Sequence, residues 1–108
     1  MLLPEITPTD LKNRLTAGED IQLIDVREPI EYEICALPHS VLLPLGEINK
    51  QTVVIATDKP VVVICHHGFR SAQAIQFLHH RHGFSNLINL KGGIHAWALQ
   101  VDPIMPTY

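Results

Sequence analysis

Strands alternating with helices at short intervals predict an α/β domain: a small, mainly parallel sheet flanked by helices on both faces. Three observations carry this expectation. Val61-Val62-Val63-Ile64 is an unbroken β-branched and aliphatic run between Pro60 and a glycine-containing loop. Such a run suits a strand buried on both sides. Ser71 to His82 then turns helical, with Ala74, Ile75 and Leu78 along one side and Gly83 as the stop. Leu87-Ile88-Asn89-Leu90 reads as a further strand, after which Gly92-Gly93 opens a helix around Ala96-Trp97-Ala98.

The other elements follow in chain order. Thr7 is the candidate N-cap of a first helix, with Pro8 at its first position, Leu11 and Leu15 on one face, and Gly18 as its stop. Ile21 to Ile24 reads as a short strand leading into Asp25-Val26-Arg27, and Glu28 to Ile34 as a brief helix with Pro29 near its start. Val41-Leu42-Leu43, closed by Pro44, is another short strand, and Leu45 to Val54 a helical turn and loop. The tail from Val101 to Pro106 reads as extended against the body.

The 108 residues are expected to form a single domain, 1–108, with a hydrophobic fraction of 46% suited to a packed core. A net charge of -3 argues against nucleic acid as a partner. Two cysteines, Cys35 and Cys65, are too few for a disulfide scaffold. The start of the chain lacks the pattern of a signal peptide, and no apolar run approaches bilayer length. A cytoplasmic protein without membrane attachment is expected.

Cys65 stands where the most apolar strand ends and a long helix begins. Ligands of open α/β sheets bind outside the carboxyl ends of strands, so the segment from Cys65 to Ser71 is the best-placed candidate site. A loop curled around the sulfur turns successive amides inward as an anion nest. The helix N-terminus adds partial positive charge, Arg70 a full one, and Gly68 the freedom to turn. A nucleophilic cysteine works as its thiolate, which such surroundings favour. The competing reading of Cys65 is a small buried apolar residue.

These residues resemble a rhodanese domain over nearly the whole chain. Leu23 to Pro29 with Glu31-Tyr32 resembles the family's first signature, and Leu37-Pro38 with Val41 to Leu45 its second. Cys65-His66-His67-Gly68-Phe69-Arg70-Ser71 resembles the active loop, and Lys91-Gly92-Gly93 with Ala96-Trp97 the closing segment. The double histidine and the ending Val101-Asp102-Pro103, Pro106, Tyr108 resemble the rhodanese domains fused to adenylyltransferases of sulfur carriers.

The resemblance implies a sulfurtransferase. Cys65 would take a sulfane sulfur from thiosulfate or a persulfide, and a thiol or sulfur-carrier protein would then remove it. Arg70 would bind the donor's oxyanion, and the amides from His66 to Ser71 would stabilise the persulfide. His66, His67, Gly68, Phe69, Arg70 and Ser71 are thus the substrate-binding candidates, with no metal or organic cofactor. Two other readings remain: a rhodanese-fold binding module without turnover, and a phosphatase or arsenate reductase. The latter have five residues between cysteine and arginine, whereas four separate Cys65 from Arg70. Where the family has Gly-His-Ile-Pro-Gly-Ala this chain has Cys35-Ala36-Leu37-Pro38-His39-Ser40, so a different loop shape is expected there.

Cys35 is read as a structural cysteine, with resolution of a Cys65 persulfide as its alternative role. His79, His80 and His82 do not make a metal site, because adjacent helical positions point about 100° apart. Asp25 and Arg27 are expected to form a structural charge pair, Trp97 to lie in the core, and Phe69 to wall the pocket.

Overall fold

The computed structural model describes residues 2–108. Five parallel strands form one sheet in the order β1-β5-β4-β2-β3: β1 is Glu5–Ile6, β2 Gln22–Asp25, β3 Val41–Leu42, β4 Val61–Ile64 and β5 Leu87–Leu90. The helices are α1 (Pro8–Thr16), α2 (Pro29–Ile34), α3 (Phe69–His82) and α4 (Gly93–Gln100), with two 3-10 segments at Leu45–Lys50 and Thr52–Val54. The α/β class and the helices on both faces stand as the sequence predicts, and the sheet is parallel throughout.

β4 is buried along its whole length, and its side chains divide by the two-residue period of a strand. Val61, Val63 and Cys65 enter the core beneath α3, with Ala74, Ile75, Leu78 and the 3-10 residue Ile48. Val62 and Ile64 enter the opposite core with Leu11 of α1 and Ile94 and Trp97 of α4. Register places Asp25 beside Ile64, so β2 and β4 end level and release Arg27 and Cys65 from the same edge of the sheet. Just beyond, the Val26 amide donates to the Ile64 carbonyl at 2.9 Å.

Local signals explain most boundaries. Thr7 caps α1 by accepting from the Asp10 amide at 3.1 Å, a contact worth about 1 kcal/mol. α3 starts at Phe69, two residues before the apolar pattern becomes legible, because Gly68 at φ +103° breaks the chain direction there. β1 has too few residues to show periodicity and exists through its pairing with β5, Glu5 against Asn89. The tail departs from the expected extended path. The Met105 amide donates to the Asp102 carbonyl at 3.0 Å, making a turn that seats Met105 against the α1–α4 core.

The segment lacking the family's glycines holds one residue in a left-handed backbone. His39 adopts φ +65°, a left-handed conformation that costs an L-residue roughly 1–2 kcal/mol. Ser40 holds the turn by donating its hydroxyl to the Leu37 carbonyl at 2.7 Å, while Tyr32 donates to the Ser40 carbonyl at 2.8 Å. Strain at His39 thus stands where the family pattern places glycine.

Candidate active site

Cys65 leaves β4 with its side chain 1% exposed. The Gly68 amide donates to its Sγ at 3.0 Å, and Ser71 Oγ lies 3.3 Å away. Ser71 is fully buried and donates its own proton to Asn89 Oδ1, which leaves its oxygen facing the sulfur as an acceptor for a thiol proton. Asn89 Nδ2 donates to the Gly68 carbonyl at 3.2 Å and reaches Glu5 Oε2 at 3.4 Å. The loop is therefore tied from within by a buried polar chain running from β5. The amides of Phe69, Arg70 and Ser71 begin α3, where a helix offers them no intrahelical acceptor, so the helix end faces the loop with free donors.

The outer side of the loop is clamped by α4. The Ile94 amide donates to the Cys65 carbonyl at 2.9 Å and the His95 amide to the His66 carbonyl at 3.1 Å. Gly93, at φ +64°, makes this approach possible: a Cβ there would lie 2.5 Å from the Cys65 carbonyl oxygen and closer still to that of His66. Gly93→Ala is expected to cost about 2–4 kcal/mol, the sum of left-handed strain and forced displacement of the loop. Gly18 supplies the comparison, with φ +83° and no atom within 4 Å of where a methyl group would sit, so that Gly18→Ala carries the strain alone. Equal losses for the two variants in urea titrations would contradict the clamp.

Arg70 does not stand free. Its guanidinium grips Glu31 of α2 with two contacts, at 2.6 and 2.8 Å. Glu31 also accepts from the Glu28 amide at 3.0 Å and the Tyr108 hydroxyl at 2.8 Å. The hydrogen bond from Arg70, above all, holds the Glu31 carboxyl down at about 2, against the opposing effect of burial. The same pair pushes Arg70 further above its ordinary range.

Arg27 is the second guanidinium of the site and is wholly buried, as is its partner Asp25. Its Nε and one terminal nitrogen grip Asp25 at 2.9 and 2.7 Å. The remaining N–H groups reach the carbonyls of Cys35 and Glu31 and the Tyr108 oxygen. The structural charge pair expected of Asp25 and Arg27 is present.

The histidines lie on the flank. His66 stacks on the Tyr108 ring, centroids 3.9 Å apart and planes 7° from parallel, with His67 at 3.9 Å and His95 at 6.0 Å. Burial first, and the neighbouring His67 next, lower the His66 pKa, which keeps the ring neutral at pH 7. Burial likewise pushes the Tyr108 phenol up to about 12, so its hydroxyl remains a donor to Glu31. His67 is exposed, and Phe69 is 82% exposed at the rim, more a lip of the site than its wall.

The predicted residues Cys65 to Ser71 thus occupy the short loop after β4 and the first turn of α3. Sequence reasoning missed Asn89, Glu31, Tyr108 and His95 as parts of the site. The signal for Asn89 was present: it is the single polar residue in Leu87–Leu90. Glu31 and Tyr108 entered the sequence reading only through the family resemblance, and no local pattern tied them to the site, because their partners lie 39 and 77 or more residues away. Cys35 packs at the edge of the α1–α4 core, whereas Cys65 belongs to the α3 core. His79 and His82 are engaged by the Phe84 carbonyl and Asn49. Among the described residues no helix is long and apolar enough to cross a membrane.

Comparison with known proteins agrees with this fold. A sulfurtransferase of Allochromatium vinosum is 36% identical over 104 residues, covering 96% of both chains. The probable adenylyltransferase/sulfurtransferase MoeZ of Mycobacterium tuberculosis is 38% identical over 105 residues, and the chain spans only 26% of its length. Among solved structures, a rhodanese-related protein of Thermoplasma volcanium superposes with a TM-score of 0.80 at 32% identity, covering 91% of this chain and 93% of that one. A rhodanese-like domain protein of Staphylococcus aureus gives 0.83 at 26% identity over 98% and 99%. The profile of the rhodanese-like domain matches residues 7–100, from the cap of α1 to the end of α4, and the chain belongs to that family.

Proposed function

We propose that this protein is a sulfurtransferase that carries sulfane sulfur as a persulfide on Cys65. The observation that carries the reading is the Gly68 amide aimed at Sγ within a loop that ends on the free donors of α3. Negative charge on the sulfur, or on an added outer sulfur, meets fixed dipoles there at no cost of reorganisation. In the first half-reaction the Cys65 thiolate attacks the outer sulfur of thiosulfate or of a persulfide. A new S–S bond forms, the donor's S–S bond breaks, and sulfite or a thiolate leaves with the electron pair. In the second, a nucleophilic acceptor takes the outer sulfur and Cys65 departs as thiolate. The Cys65 thiol donates a hydrogen bond to Ser71 Oγ until its proton passes to solvent, and Arg70 supplies positive charge to the donor's anionic end, a charge it shares with Glu31.

The end-to-end likeness to a protein named sulfurtransferase supports turnover over mere binding. Relatives named for adenylyltransferase as well as sulfurtransferase activity support a protein acceptor whose carboxylate has first been adenylylated. Intact-mass measurement after exposure to thiosulfate or to cysteine persulfide tests the reading. The expected result is a gain of one sulfur atom, mapped to Cys65 and lost on addition of cyanide or a thiol. Unchanged mass with both donors would leave a binding module as the better account.

A further inference from the structure

Charges around Cys65 cancel to an unusual degree for a site expected to receive an anion. Arg27 is consumed by Asp25, both fully buried. Arg70 is consumed by Glu31, whose side chain is only 16% exposed. Behind the loop a further carboxylate, Glu5, reaches Asn89. Two guanidiniums thus face three carboxylates, and His66, the imidazole on the loop's flank, is neutral at pH 7. Glu31 is also not a casual surface partner. Its two oxygens accept from Arg70 twice, from the Glu28 amide and from the Tyr108 hydroxyl, which fixes the carboxylate in place.

From this arrangement we infer that Glu31 is a specificity-determining residue that turns the site toward carbon-bound persulfides and away from dianionic thiosulfate. The inference rests on the persulfide reading of Cys65. A dianion approaching Arg70 meets the Glu31 carboxylate at the same guanidinium, and either breaks two charge-assisted hydrogen bonds or accepts like-charge repulsion at short range. A persulfide carries at most one charge on its reacting end and needs no oxyanion contact. The chain neighbours of the pair point the same way. Ile30, beside Glu31, is 71% exposed, and Phe69, beside Arg70, is 82% exposed. Each member of the neutralised ion pair thus has an exposed apolar residue next to it in sequence, a surface suited to a donor with a carbon skeleton.

The test is the rate constant for single-turnover loading of Cys65, followed by intact mass, with thiosulfate and with cysteine persulfide as separate donors. Wild type is expected to load faster from cysteine persulfide. Glu31→Gln frees the Arg70 charge, and the ratio of thiosulfate to persulfide rate constants should rise at least tenfold. Glu31→Asp, which restores the charge, should return the ratio toward wild type, a rescue that a merely structural role would not give. Tyr108→Phe removes the hydroxyl contact to Glu31 and should move the ratio in the same direction by a smaller factor. A ratio within threefold of wild type in Glu31→Gln, with both donors still loading Cys65, overturns the assignment of Glu31 alone. Failure of both donors to load wild type overturns the persulfide reading and this assignment with it.

Discussion

Cys65→Ser is expected to lower sulfur transfer by at least about a thousandfold, to the background of the uncatalysed reaction. A serine hydroxyl is scarcely ionised at neutral pH and makes no stable bond to sulfane sulfur, so the covalent intermediate is lost outright. Folding should hardly change. The new oxygen keeps the Gly68 amide and Ser71 as partners, so no buried polar group is orphaned and the loss should stay near 1 kcal/mol. The combination of intact stability with absent turnover separates a carrier from a packing residue. Loading and turnover are read by mass and by release of thiocyanate from thiosulfate and cyanide. Loading that persists in Cys65→Ser would place the sulfur on Cys35, the other cysteine of the chain.

Arg27→Met is expected to produce the largest loss of stability, about 3–5 kcal/mol, because it strands the Asp25 carboxylate in a fully buried position. The damage extends beyond the pair. All five guanidinium N–H groups have acceptors, so the substitution also orphans the Cys35 carbonyl and removes one contact each from the Glu31 carbonyl and Tyr108. A domain of this size has about 5–15 kcal/mol in total, so the variant sits near the edge of folding. Urea titration gives the measurement, and Asp25→Asn combined with Arg27→Met should recover part of the loss by removing the uncompensated charge. A decrease under about 1 kcal/mol in the single variant would mean that water reaches Asp25.

What the sequence reveals about this fold divides along the range of the interactions. β4, β5 and α1 are legible because their causes are local: a β-branched run, a short apolar strand, a Thr-Pro cap. The candidate loop is legible for a similar reason, since cysteine, glycine, arginine and serine lie within seven positions at a strand–helix junction. Glu31 is not legible as part of the site. Its place in the first turn of α2 reads as ordinary capping chemistry, and nothing nearby announces that Arg70 will arrive from another element. Tyr108 is hidden by the same logic, its stacking on His66 being set by a turn in a segment without periodicity. The free Arg70 suggested by the loop motif became a paired one through a contact that only tertiary structure supplies.

The bonds that complete the site also say when in folding it can exist. Asn89 meets Glu5 across 84 positions, Arg27 meets Tyr108 across 81, and Tyr108 meets Glu31 across 77. Closing loops of such length is slow and entropically costly, so these contacts belong to the end of assembly. The Cys65 loop alone can form early, beside its own strand and helix. The contacts that brace its charge-compensated shell, from Glu5 at one end and Tyr108 at the other, form only when both ends of the chain have docked. A newly made or partly unfolded molecule therefore exposes a thiol without Tyr108 bracing Glu31 beside Arg70, and donor selection becomes sharpest in the finished fold.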